Sequence, residues 1–452
     1  MEMNGYETDD DIFALATPPG ESALAVIRLS GPETINKFAA LFSEPGWCRK
    51  TEGGRIKLGY ILDDENRIDQ VMAGLYRSPS SYTGQDMIEI FCHGSMAGVN
   101  ALKNLLRKSG FRDAHAGEFT YRAFMNRKMD LTQAEAVQEI VKSRSVKAHQ
   151  LALDRLSGGI RDTVLSIKDE LMKITSSVEL QLDYPEDEIE DTTELPVGPL
   201  LGITEHIKDL LKTYNSGKMF RDGVKVVLAG RTNSGKSSLF NLFLKEDRAI
   251  VSDVHGTTRD FLEAWLSIDG LPVILFDTAG LRGAGNPIEE EGIRRSRVKI
   301  EEGHIVVYII DGETGFTDDD KKTIEELDGK NKVITVWNKI DKYKMPAGDK
   351  AIAISASTGE GFHELEKAVR GAALGTETDP DDVIIDSERQ KILFEECVEY
   401  LEHAVKSLKD FVPLDAIAPD LRGALDSLGR ITGEITGTDV LEYMFSSFCV
   451  GK

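Results

Sequence analysis

The chain has 452 residues, 41% hydrophobic and 29% charged, which predicts a soluble globular protein of two to four domains at about 100–200 residues each. Its 77 acidic and 54 basic residues give a net charge of −23, which argues against a general nucleic-acid binder, because neutralising phosphates takes clustered lysine and arginine. Cys48, Cys92, Cys397 and Cys449 form no CxxC pair, the start MEMNGYETDDD has no apolar core and no run reaches the ~18 residues of a membrane span, so a zinc site, a disulfide framework, a signal peptide and a membrane anchor are not expected and a reducing cytosol is.

Residues 1–125 mix short strand signals with turns. ALAVIRLSG, GRIKLGYILDD and MIEIFCHG read as strands ending in Gly or Asp, and MAGVNALKNLLRKSG as a helix with Gly110 near its end. From about 130 to 215 long helices are expected. Leu153, Leu156, Ile160, Val164, Ile167, Leu171, Ile174 and Val178 follow steps of three and four, which predicts one unbroken helical stripe packed on a partner helix. DYPEDEIEDTTELP then carries seven acidic residues and no basic one, and reads as a solvated connection. The tail from about 385 is helical again, with Leu393, Cys397, Tyr400, Ala404 and Leu408 on one face. Such a tail cannot bury that face alone. It is expected to pack on the 130–215 helices, with a nucleotide domain over 218–375 inserted between them.

That domain carries the chemistry. KVVLAGRTNSGKSSLF contains GxxxxGK[ST] from Gly230 to Ser237, with a buried strand before it and a helix after it, as a phosphate loop requires. Backbone N–H groups and a helix N-terminus make an anion cradle there, formed by Asn233, Ser234, Gly235, Lys236, Ser237 and Ser238. Lys236 is expected at the β/γ-phosphates and Ser237 on Mg²⁺. LPVILFDTAG ends a strand with Asp277, Thr278, Ala279 and Gly280; Asp277 would hold Mg²⁺ through water and the Gly280 N–H would sense the γ-phosphate. VITVWNKID supplies Asn338, Lys339 and Asp341, and an aspartate there accepts the two donors that guanine has and adenine lacks. In AIAISAS, Ser355 and Ala356 offer backbone N–H to the guanine carbonyl. Thr258 of SDVHGTTRD is the candidate switch threonine on Mg²⁺. In order, these elements predict a GTP-binding, GTP-hydrolysing domain. Leu281 stands where Ras-like proteins place a water-orienting Gln, so another group must position the water: Glu289 of NPIEEEGIRR is a candidate that the sequence does not separate from Glu290 or Glu291, while Arg259 and Arg282 are candidate arginine fingers.

DIFALATPPG, AVIRLSG, SYTGQDMIEI, AGEFTYRAFMNRKMDLTQAEAV, GRTNSGKSSL, GTTRD, DTAGLR and the terminal FCVGK together resemble the MnmE (TrmE) family of tRNA-modification GTPases over nearly the whole chain. The resemblance implies a multidomain α/β and α architecture. An N-terminal α+β folate-binding-like and dimerisation domain (1–125) would be followed by a discontinuous helical domain (126–217 and 376–452) with an inserted Ras-like G domain (218–375). It implies K⁺ in place of an arginine finger, with Asn233 as a ligand and carbonyls near Ser252, Val254 and Thr257 wrapping the ion, and activation as two G domains meet in a homodimer. The family's catalytic glutamate falls on Glu289. Folate would be held by Arg28, Glu89 and Lys128, with Lys452 reaching in from the tail, and Cys449 is a candidate nucleophile or a buried apolar residue. 5,10-Methylenetetrahydrofolate (with 5-formyltetrahydrofolate as its analogue) would supply the one-carbon unit. The FAD-carrying partner MnmG, in a heterotetramer, would join in adding an aminomethyl or carboxymethylaminomethyl group at C5 of the tRNA wobble uridine. The sequence departs from the pattern at Thr232, where the family often has Pro, and in SERQ after Asp386. A second reading is a GTP-dependent assembly switch without modification chemistry; no KH-type GxxG loop in a basic setting supports it.

Overall fold

The computed structural model describes residues 6–183, 196–245, 262–277, 302–328, 332–348, 350–375 and 384–451. Ser252, Val254, Thr257, Thr258, Arg259, Thr278, Ala279, Gly280, Leu281, Arg282, Glu289 and Lys452 lie outside them, as does most of the acidic connection. The chain divides into two compact units: Met1–Gln138 with Leu156–Lys168 and Asp426–Lys452, and Glu139–Arg155 with Asp169–Leu425.

The first unit is built on a six-stranded sheet of order β3-β4-β5-β2-β1-β6. Its strands are β1 (Ile12–Leu15), β2 (Ser22–Ser30), β3 (Arg55–Asp63), β4 (Asn66–Tyr76), β5 (Met87–Gly94) and β6 (Arg112–Asp113). Neighbours are antiparallel except β1 and β6. Alternation along β2 buries Ala25, Ile27 and Leu29 on one face and leaves Arg28 on the other. The helix Met96–Lys108, capped by the Ser95 hydroxyl accepting the Gly98 N–H, places Val99, Leu102, Leu105 and Leu106 on the same core. The expected strands and this helix are present.

The second unit holds another six-stranded sheet, β12-β11-β10-β7-β9-β8. Its members are β7 (Val224–Gly230), β8 (Leu262–Ile268), β9 (Leu271–Asp277), β10 (Ile305–Asp311), β11 (Lys332–Asn338) and β12 (Ile352–Ala353). Only β8 and β9 pair antiparallel. LPVILFD and IVVYIID are buried along their whole length, as central parallel strands covered on both faces must be. Because β7, β9, β10 and β11 run parallel, Gly230, Asp277, Asp311 and Asn338 all arrive at one sheet edge, the place where such sheets bind ligands.

The helical stripe differs from expectation in two ways. It is broken at Ser157–Gly158, where Gly158 has φ +104, so Val146–Leu156 and Gly159–Asp183 are separate helices. Leu153 consequently turns outward, 41% exposed, while Ile160, Val164, Ile167, Leu171 and Val178 stay buried. In the tail helix Glu388–Lys409 the inward residue is Leu401, not Tyr400, which is 40% exposed: the buried row is Leu393, Cys397, Leu401, Ala404 and Leu408, steps of four, four, three and four. That helix packs along Val197–Lys212. Among the described residues no helix is long and apolar enough to cross a membrane.

Candidate functional site

At the C-terminal edge of the second sheet, three loops are tied together by one side chain. Asn338, 2% exposed, donates from Nδ2 to the Ser234 carbonyl at 2.8 Å, and its Oδ1 accepts the Ala356 N–H at 3.0 Å and the Lys339 N–H at 2.8 Å. The phosphate loop, the NKID turn and the SAS turn are thereby locked to one another. Ala356 N–H is engaged by Asn338 and Ser355 N–H by the Glu360 carbonyl at 2.9 Å.

The phosphate loop has the backbone its sequence calls for. Asn233 has φ +62 and Gly235 φ +100, so the chain turns its amides inward before the helix Lys236–Lys245 begins. Gly230 is required as well: a Cβ there would lie 2.4 Å from the Ile309 carbonyl oxygen. Lys236 is buried, and its ammonium donates to the Gly230 and Arg231 carbonyls at 2.8 and 2.6 Å, across the mouth of the loop. Ser234 is buried, whereas Asn233, Ser237 and Ser238 face solvent. The Ser237 hydroxyl donates to Asp277 Oδ2 at 3.1 Å. A hydroxyl oxygen beside a carboxylate at a helix N-terminus is the hard-oxygen set that Mg²⁺ takes when it keeps its waters, so the residues fit that ion.

The base-side residues also converge. Asp341 Oδ1 accepts the Ser355 hydroxyl at 2.7 Å, and that hydrogen bond holds the Asp341 carboxyl below its usual range, charged and ready to accept two donors. Lys339 donates to Asp311 Oδ2 at 2.8 Å. Asp311 is a residue that sequence reasoning missed; its only signal was its place at the end of an apolar strand, before GETG.

A second polar cluster lies in the first unit, where β2 and β5 bring Arg28 and Glu89 opposite one another. Arg28 donates from Nε and Nη2 to Glu89 Oε1 at 3.0 and 2.8 Å, and from Nη1 to the Gly451 carbonyl at 3.1 Å. Tyr82 and Phe119 flank the guanidinium at 5.4 and 5.7 Å from their ring centres. The tail reaches this place because the Ala116–Val450 bridge and the Gly117 N–H to Cys449 carbonyl bond fasten it, and because Gly451, with φ +96, lies where a Cβ would meet the Leu15 carbonyl oxygen at 2.9 Å. Lys128 donates to the Pro79 carbonyl at 3.0 Å, on the loop that also carries Tyr82. A carboxylate paired with a guanidinium that lies near two aromatic rings fits a folate: the carboxylate suits pterin N–H groups and the cations suit its glutamyl tail. Cys449 is exposed, which removes the reading of a buried apolar cysteine.

Two family models match the chain: "GTP-binding protein TrmE N-terminus" over residues 11–128 and "MnmE helical domain" over residues 131–449. The tRNA modification GTPase MnmE of Borreliella burgdorferi (strain ZS7) is 41% identical over 462 residues, covering 99% of each chain. Its namesake in Treponema denticola is 40% identical over 476 residues, covering 100% of each. That of Thermotoga sp. (strain RQ2) is 39% identical over 457 residues, covering 98% of this chain and 100% of the relative.

Proposed function

The chain belongs to the MnmE (TrmE) family, and on that premise we propose that it is a GTP-hydrolysing enzyme of tRNA modification. The observation that carries the GTPase reading is the Asn338 bracket, which joins a phosphate loop to a guanine-selecting NKID turn. Lys236 and the amides of residues 233–238 hold the phosphates, Asp341 reads the base, and Ser237 with Thr258 holds Mg²⁺, Asp277 assisting through water. The Gly280 N–H would sense the γ-phosphate, Thr278 and Ala279 would belong to the GTP site beside it, and Glu289 would orient the attacking water. Asn233, Ser252, Val254 and Thr257 ligate K⁺. When bound, the two cations supply positive charge against the phosphates.

The modification reading is a cytoplasmic homodimer that works with the flavoprotein MnmG in a heterotetramer. It adds an aminomethyl or carboxymethylaminomethyl group to C5 of the wobble uridine, with the one-carbon unit from 5,10-methylenetetrahydrofolate. Residues 1–125 form the folate and dimerisation domain, 126–217 and 376–452 the helical domain, and 218–375 the G domain. Arg28, Glu89, Lys128 and Lys452 hold the folate, Cys449 is the candidate nucleophile of the uridine chemistry, and hydrolysis drives a conformational cycle. The acidic surface assigns much of the tRNA grip to the partner.

GTP hydrolysis in K⁺ and in Na⁺ buffer, across protein concentrations, tests the first reading. Faster turnover in K⁺, rising with concentration, is expected; equal slow rates in both would remove the cation and the paired G domains. Wobble-uridine analysis in a strain lacking the protein tests the second, and normal modification would sink it. For the folate site, Arg28→Ala combined with Lys128→Ala is expected to weaken 5-formyltetrahydrofolate binding about tenfold or more, the loss of charge-assisted bonds to a carboxylate. Equilibrium titration measures it, and unchanged affinity refutes the site.

A further inference from the structure

We propose that Asp311 is a positioning residue for guanine recognition, acting through the Lys339 side chain. The inference rests on the nucleotide reading above and deepens it. The three polar residues of the NKID turn are each held by different neighbours. Asn338 is held by the phosphate loop and Ala356, and Asp341 by Ser355. Lys339 is held by the loop that leaves β10. Its ammonium lies 2.8 Å from Asp311 Oδ2 and 3.8 Å from Glu313 Oε2.

That loop is built to stay in place. β10 and β11 pair so that Asp311 stands beside Asn338 at the sheet edge. Asp311 is 8% exposed, and its other oxygen accepts the Glu313 N–H at 3.0 Å, so the carboxylate is oriented at both ends. Gly312 donates its N–H to the Asn338 carbonyl at 3.1 Å, and a Cβ at Gly312 would stand 2.5 Å from that oxygen. The close approach that brings Asp311 to Lys339 therefore depends on glycine. Lys339 itself has φ +68, a backbone that points its side chain out of the ordinary helical or extended course. The Asp311 hydrogen bond raises the Lys339 pKa above its ordinary value, so the ammonium stays charged.

A free lysine stem samples many rotamers, and ordering it against a base costs entropy. Anchored at its ammonium, Lys339 presents its methylenes in one position, two residues from the carboxylate that reads guanine. The base is the same in GTP and GDP and is unchanged by hydrolysis. Loss of the anchor therefore weakens both nucleotides alike and raises KM without lowering kcat.

Asp311→Asn keeps the shape and removes the charge. It is expected to weaken GDP and GTP about tenfold each in equilibrium titrations, with KM raised and kcat kept. Asp311→Glu is expected to recover part of the loss. Lys339→Met, which approaches the pair from the other side, is expected to lose at least as much, and the combined variant no more than Lys339→Met alone. Unchanged GDP affinity in Asp311→Asn, a loss confined to GTP, or losses that multiply in the combined variant would each overturn the proposal. The unsubstituted chain is titrated beside them: if it binds neither GDP nor GTP, the nucleotide reading falls and this inference with it, whereas tight binding that Asp311→Asn leaves untouched removes the inference alone.

Discussion

Gly235→Ala is expected to lower the affinity for both GDP and GTP by about two orders of magnitude. Gly235 has φ +100, a region that residues with a Cβ rarely adopt. The added carbon would stand 2.1 Å from Asn338 Nδ2, far inside contact distance. Asn338 cannot swing aside cheaply, because its amide is buried and spends its donor on Ser234 and its acceptor on Ala356 and Lys339. Relief of the clash breaks those bonds, at about 1 kcal/mol each, and separates the phosphate loop from both base-recognition turns. Titration with a fluorescent GDP analogue measures the loss. Asn338→Ala should reproduce most of it, since it removes the same bracket from the other side. GDP affinity within about twofold of the unsubstituted chain, a few tenths of a kcal/mol, would show that the bracket does not organise the site.

Arg122→Met is expected to destabilise the first unit by about 3–5 kcal/mol, which is roughly 10 °C in the melting temperature of a unit this size. Arg122 and Glu118 are fully buried. Arg122 donates to the Glu7 and Asp10 carbonyls at 2.8 and 2.7 Å, to Glu118 Oε1 at 2.9 Å and to the Asp10 carboxylate. Arg112 completes the cluster, reaching Asp10 Oδ2 and Glu118 Oε1 at 2.6 Å each. Methionine fills the space but leaves two backbone carbonyls unpaired and two carboxylates sharing one cation. Differential scanning calorimetry reads the shift, and an unmoved transition would show that Arg112 alone suffices. The same cluster has a pH signature. Burial by itself would raise the Asp10 carboxyl, but the hydrogen bonds and charges of Arg112 and Arg122 outweigh it and hold the pKa below the ordinary carboxylate value. A lowered native pKa contributes stability that is present above the unfolded value of about 4 and is lost as pH falls through the native one. The unit should therefore lose stability on acidification from about pH 4 down through the native pKa, and Arg122→Met should lose less of it there.

The nucleotide chemistry was legible in the sequence because a phosphate loop is a local object. GRTNSGKS carries its own turn residues and its own helix start, and a buried strand must precede it. The same holds for the strand ends at Asp277 and Asn338. Periodicity misled where a local backbone event intervened. Steps of three and four run through Ser157–Gly158 as if the helix continued, but the positive-φ glycine ends one helix before the next begins. In the tail, Tyr400 and Leu401 are neighbours that both satisfy the spacing. Burial chose the purely apolar one, since a tyrosine hydroxyl needs a polar partner or water.

By itself the sequence determined the family, through motifs spread along the chain, and the type of nucleotide fold, because a phosphate loop with its flanking strand and helix is a local object. Tertiary structure decided which distant groups meet. Asn338 meets Ser234 across 104 residues, and Arg28 meets the Gly451 carbonyl across 423. Lys339 finds Asp311, and Arg28 finds Glu89, only through the pairing of β11 with β10 and of β2 with β5. Strand order and register set such meetings, and a one-residue slip of β2 against β5 would turn Arg28 away from the face that carries Glu89.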